Sequence, residues 1–122
     1  MQIKRARESK VQAAIAKYLS LSGWLVVPKR QIPTPGRSFP KAEYGVSDLL
    51  CTEPRLGKTV AIEVKRDKAE YDKWYSQNDP KVESHKRAIS QKAFGAEVRK
   101  RHAYFYCIYS VEQATQIVKD LK

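Results

Sequence analysis

The sequence is poor in the residues that staple, anchor or metallate small proteins. It has only two cysteines, Cys51 and Cys107, in 122 residues. Each lies inside an apolar, strand-like run, so two small buried thiols are the expected state, ahead of a disulfide. Its two histidines, His85 and His102, have no partner at metal-ligand spacing and read as bystanders. No apolar run approaches the roughly 20 residues that cross a bilayer, and no segment combines a basic face with a large apolar one, so a membrane partner is not expected. The opening segment, MQIKRARESK, has no apolar stretch of the kind a secretory signal carries, and a cytoplasmic location is the expectation. Internal repeats and low-complexity tracts are also missing. Acidic residues are scarce: 13 Asp and Glu face 24 Lys and Arg, a formal charge of +11. A pI near 9.8 points to phosphate polyanions as partners.

What is present suits one compact domain spanning 1–122, with 42% hydrophobic residues to fill a core. Val11, Ile15, Tyr18 and Leu19 recur at helical spacing before Gly23, which predicts a first helix from about Arg7 to Ser22. Trp24 to Val27 reads as a short buried strand, and Gln31 to Tyr44, with Pro33, Pro35, Gly36 and Pro40, as a loop. Val46 to Glu53 and Lys58 to Lys65 are two further strands joined by a short turn. From Arg66 to Ile89 the chain is polar and irregular, with an Asp79-Pro80 breaker, and reads as an insertion. Ser90 is placed to cap a helix from about Gln91 to Arg101, with a possible start nearer Ser84, and Ile89 with Phe94 sits at hydrophobic-staple spacing. Ala103 to Tyr109 is β-prone, and Ser110 with Gln113 forms a capping-box pattern ahead of a last helix bearing Ala114, Ile117, Val118 and Leu121. The order is α-β-β-β-α-β-α.

The hairpin holds the chemistry. Alternation puts Leu49, Cys51, Val60, Ile62 and Val64 on one face, and Val46, Asp48, Leu50, Thr52, Thr59, Ala61, Glu63 and Lys65 on the other. A turn centred on Arg55 and Leu56 sets Cys51 against Val60, Leu49 against Ile62 and Glu53 against Lys58, an opposite-charge pair. The same register sets Asp48 opposite Glu63, with Cβ atoms about 4.5 to 5.5 Å apart, so the two carboxylates are able to share one cation. Lys65 projects from that face two residues on. Mg²⁺ needs only one or two protein carboxylates and keeps waters that a phosphate oxygen can displace. The ordinary reading of such a trio is a surface salt-bridge cluster. Leu50 and Ala61 beside it imply partial cover and weigh against that reading.

The pattern Gly45-Val-Ser-Asp48, fourteen residues, then Glu63-Val-Lys65 resembles the core motif of the PD-(D/E)xK nuclease superfamily. Glu8-x3-Gln12-x2-Ile15-x3-Leu19 resembles the first-helix signature of its VRR-NUC branch, and Ser90-Gln91-x2-Phe94, Tyr106 and Ser110-Val-Glu-Gln-Ala resemble its later helix, strand and final helix. Ser47 stands where the superfamily's name has Pro. The resemblance implies a restriction-endonuclease-like α/β fold, a central mixed sheet flanked by helices. It implies Asp48, Glu63 and the Val64 carbonyl as ligands of Mg²⁺, with Mn²⁺ able to substitute, Lys65 as catalytic lysine, and Glu8 and Gln91 as assisting groups. A helix-start acid at Glu8 and a solvated helix-start residue at Gln91 are the ordinary alternatives. The activity implied is endonucleolytic hydrolysis of DNA, selective for branched or four-way junction (Holliday junction) structures, by a homodimer. A nicking or flap-cutting nuclease of repair or restriction is the second reading, and a non-catalytic nucleic-acid-binding module the third.

For contacts to the DNA backbone, Lys29, Arg30 and Arg37 border the proline-rich loop and are the favoured candidates. Lys4, Arg5, Arg7, Lys10, Lys41, Arg66, Lys68, Lys86, Arg87, Lys92 and Arg99-Lys100-Arg101 supply a more diffuse basic surface. Tyr71, Trp74 and Tyr75 are placed either to stack on unpaired bases or, as aromatic residues more commonly do, to pack.

Overall fold

The computed structural model describes residues 2–28 and 47–121, with side chains from Glu8 onward. The proline-rich loop, Val46 and the candidate DNA contacts Lys29, Arg30 and Arg37 lie outside the described residues. The elements are α1 (Gln2–Leu21), β1 (Leu25–Pro28), β2 (Leu49–Thr52) and β3 (Thr59–Val64), which are followed by α2 (Lys68–Ser76), α3 (Lys86–Lys100), β4 (Tyr104–Ile108) and α4 (Val111–Asp120). They form a four-stranded sheet in the order β1-β2-β3-β4. The first three strands are antiparallel, and β4 runs parallel to β3. The sheet is therefore mixed, as expected.

The hairpin register is the one that alternation requires: Leu49 lies opposite Ile62 and Cys51 opposite Val60. Leu49, Cys51, Val60, Ile62 and Val64 face a core completed by Ile15 and Leu19 of α1 and by Ala114, Ile117 and Val118 of α4. Both cysteines are free thiols. Burial pushes each up to about 12, which keeps them protonated and inert. At the turn, the expected Glu53 and Lys58 ion pair is replaced by something more local. The Glu53 carboxylate accepts the backbone N–H groups of Arg55, Leu56 and Lys58 at 2.8, 2.7 and 3.1 Å. These bonds, the one from Lys58 foremost, hold its pKa below the usual carboxylate range. The Lys58 ammonium reaches away to the Tyr104 hydroxyl at 2.9 Å.

The 66–89 segment is more ordered than its composition suggests. Asp67 caps α2, accepting the Glu70 N–H at 2.9 Å. A single 3-10 turn, Glu83–His85, leads directly into α3. Ser90 is thus inside α3 and not its cap, and Gln91 sits in mid-helix. The Lys92 ammonium fastens α2 to α3 by donating to the Tyr75 and Gln77 carbonyls and to Asn78 Oδ1, at 3.0, 3.1 and 2.6 Å. That use satisfies the open carbonyls at the end of α2, so Lys92 leaves the list of phosphate candidates. Ser110 caps α4 as its pattern indicates, while the Gln113 side chain reaches one residue further back, to the Tyr109 N–H at 2.7 Å.

Helices α2 and α3 cover the second sheet face, where Ala61 and Phe105 pack with Trp74 and Ala88. Gly95 sets how closely α3 approaches. A Cβ there would come within 2.6 Å of the Phe105 ring. Gly95→Ala is therefore expected to lower unfolding stability by roughly 1–3 kcal/mol in urea titration, despite the better helix propensity of alanine. An unchanged or raised midpoint would show that the ring has room to move.

Candidate active site

The site forms where β3 ends between the two covering helices. Glu63 points to the α2 and α3 side of the sheet and is only 1% exposed. A carboxylate so placed must be hydrogen-bonded or paired to remain charged. Gln91, also 1% exposed, donates its Nε2 to Glu63 Oε2 at 2.9 Å. Its own Oε1 accepts Trp74 Nε1 at 2.7 Å and Lys65 Nζ at 3.4 Å. An indole N–H and an ammonium only donate, so they fix which end of the Gln91 amide is oxygen and direct its NH₂ at Glu63. Lys65 Nζ lies 3.6 Å from Glu63 Oε2 and 5.6 Å from the centre of the Trp74 ring. Trp74, Gln91, Glu63 and Lys65 are thus one connected polar group, drawn from three elements.

Asp48 stands one residue before β2, where the register continues toward Glu63. It is 8% exposed, and its Oδ2 accepts the Val64 N–H at 2.8 Å. Glu8 reaches the same region from α1. Its carboxyl is pushed up to about 7, first by burial, then by a hydrogen bond to Glu70 and by the charges of Glu70 and Asp48, with Lys65 opposing. Glu70 is in turn held by Arg66, through the backbone N–H at 3.1 Å and through the guanidinium. Arg66 also meets Asp67 at 3.4 Å.

The five side chains singled out from the sequence, Glu8, Asp48, Glu63, Lys65 and Gln91, are therefore brought into one region. Sequence reading missed Glu70 and the role of Trp74. A signal existed for each: Glu70 follows its cap Asp67 by three residues, and Trp74 follows Glu70 by four on one helical stripe. Trp74 is buried and Tyr71 half-buried, which favours packing for both, whereas Tyr75 is 65% exposed. His85 serves its own turn, accepting the Asp79 N–H at 3.1 Å. His102 adopts a left-handed conformation, φ 62, just beyond α3.

As a metal centre the donor set is small but chemically suitable. Among the described residues, no three Asp, Glu, His or Cys side chains cluster as a self-sufficient ligand cage. Two hard carboxylates at adjoining ends of neighbouring strands, with Asp48 anchored through one oxygen, suit an ion that keeps several waters, as Mg²⁺ does.

Comparison with known proteins bears on the fold. No family model and no curated protein matches the chain. A solved structure described as a VRR_NUC domain aligns with a TM-score of 0.58 and 26% identity, covering 93% of this chain and 95% of that one. The chain has a VRR-NUC-like nuclease fold.

The Glu8 carboxyl gives the metal-free site a signature in pH. Between about pH 4.5 and 7 the folded chain keeps a proton on Glu8 that the unfolded chain has released. Raising the pH through that window therefore costs the folded state stability. In chelator, the melting temperature of wild type relative to Glu8→Gln is expected to fall from pH 5 to about pH 7 and to level off above it. A difference that stays constant across this range would contradict the assignment.

Proposed function

We propose that this chain is a metal-dependent endonuclease that hydrolyses DNA phosphodiester bonds at the Asp48, Glu63 and Lys65 face. The observation that carries the reading is the buried Glu63 carboxylate, held by Gln91 and Lys65 beside Asp48, on a nuclease fold. A purely structural ion pair has little reason to be buried in this way, since apolar residues would fill the same space at no electrostatic cost.

Asp48, Glu63 and the Val64 carbonyl are the groups that would hold Mg²⁺, or Mn²⁺ in its place. A divalent ion bound there supplies a Lewis acid for the scissile phosphate and a water of lowered pKa. Lys65 orients the attacking water and stabilises negative charge that develops on the phosphate. Gln91 keeps Glu63 and Lys65 aligned, with Trp74 fixing its amide, in the manner of groups that orient metal ligands from behind. Glu8 lies where it can accept a proton or hold a water. The chain works as one domain, and the 66–89 segment contributes Glu70 and Trp74 to the wall of the site. The finer form of the proposal is structure-selective cutting of branched or four-way junction DNA by a homodimer, with Lys29, Arg30 and Arg37 on the backbone. Among the described residues no helix is long and apolar enough to cross a membrane.

Purified protein incubated with labelled linear, flap, splayed and four-way DNA tests this directly. Cleavage is expected with Mg²⁺ or Mn²⁺ and none with EDTA. Asp48→Asn and Lys65→Ala are each expected to lower the rate by at least about 100-fold while leaving DNA binding largely intact. Folded wild type that gives no metal-dependent product on any substrate would leave the non-catalytic binding module as the reading.

A further inference from the structure

A cleft of about 450 Å³ opens from the site between α2 and α3. Its walls are two helical stripes. Ala69, Glu70, Lys73, Trp74 and Gln77 line one; Ser84, Arg87, Ala88 and Gln91 line the other, with Glu8, Lys65 and Arg66 at the inner end. The spacing on each stripe is that of residues facing the same way along a helix, so Lys73 and Arg87 are directed toward the space between the helices.

Among the described residues, much of the basic surface around the two helices is committed to local partners. Lys68 pairs with Asp72, Lys86 with Glu83, and Lys100 and Arg101 with Glu97. Arg99 donates to the Phe105 carbonyl at 3.2 Å and lies over its ring. Arg66 is tied to Asp67 and Glu70. Lys73 and Arg87 are different: both are exposed, both line the cleft, and neither makes an ion pair among the described residues. The acid nearest to hand, Glu70, is taken by Arg66. The first turn of α3 brings no acid to this wall either. The carboxylates that also line the cleft, Glu8 and Glu70, are engaged with each other and with Arg66, so an anion entering beside Lys73 and Arg87 meets two cations that no acid has claimed.

We propose that Lys73 and Arg87 form a phosphate subsite that holds the DNA strand next to the bond being cut. The inference rests on reading the adjoining face as the nuclease centre. A cleft of this size takes a short stretch of one strand and not a duplex, so the subsite grips the backbone without reading bases. Arg87 precedes Gln91 by one turn, and Lys73 adjoins Trp74. A phosphate held between them therefore fixes the register of the strand relative to Lys65. Both are positioning residues, acting on the substrate away from the reacting phosphate.

The test compares wild type, Lys73→Gln, Arg87→Gln, the double variant and the exposed α4 control Lys119→Gln. Binding of a fluorescent 20-nucleotide single strand is measured in EDTA across 50–200 mM KCl, and cleavage separately with Mg²⁺. Losing two phosphate contacts is expected to weaken binding by the double variant about tenfold or more and to reduce its log-log salt slope by about 1.4, at roughly 0.7 per contact. Its KM should rise by more than its kcat falls, and the control should match wild type. Unchanged affinity and salt slope in a folded double variant would overturn the subsite. The two readings fail separately. If wild type cleaves and the double variant binds like it, the subsite is wrong and the nuclease stands. If wild type never cleaves but the double variant loses affinity and slope as described, the nuclease reading is wrong and the phosphate subsite stands.

Discussion

The architecture turns on one constraint, the burial of the Glu63 carboxylate at the end of a strand that is otherwise apolar. An unpaired buried charge costs far more than a typical native stability margin can absorb. The surrounding elements can be understood as the response. Strand β3 continues into Lys65, which places an ammonium beside it. Helix α3 brings Gln91 to it through an approach that Gly95 makes possible, and α2 brings Trp74 to hold the Gln91 amide in the required sense. Lys92 then locks the two helices together at the far end of α2. The same contacts that allow the charge to be buried also immobilise it, as the role proposed for Glu63 requires.

The sheet separates two tasks. One face meets α1 and α4 through Ile15, Leu19, Ile117 and Val118 and forms the main core. The other carries a smaller apolar cluster and the polar group, so that the site sits on a rigid strand and opens into the cleft between α2 and α3. Glu8 links the two sides, since the helix that buries Ile15 and Leu19 also delivers a carboxyl to Asp48 and Glu70.

The sheet and the centre of the site were legible because their signals are short and periodic. Alternation together with a turn centred on Arg55 and Leu56 set Cys51 against Val60 and Leu49 against Ile62, and a one-residue slip would have turned Glu63 into the main core. The first and last helices were readable from apolar spacing and from Ser110 with Gln113. What escaped was α2, whose exposed residues outnumber its single fully buried one, Trp74, and whose polar composition resembles a loop. The start of α3 was misplaced for a related reason. Ser90 has the chemistry of a cap, but capping preference is a local bias, and packing of Ala88 and Gln91 extends the helix through it. Glu53 and Lys58 were correctly placed opposite each other, yet three backbone N–H groups within reach outcompeted a solvated ammonium. Lys92 read as a phosphate ligand because sequence shows charge but not what already neutralises it.

The central claim is that Asp48 and Glu63 share a divalent cation. Crystals grown with Mn²⁺ test it most directly, through anomalous diffraction at the manganese edge. The expected result is a peak touching both carboxylates, with Gln91 still donating to Glu63. A well-ordered site without manganese, in which Asp48 holds only the Val64 N–H and Glu63 only Gln91 and Lys65, would contradict it.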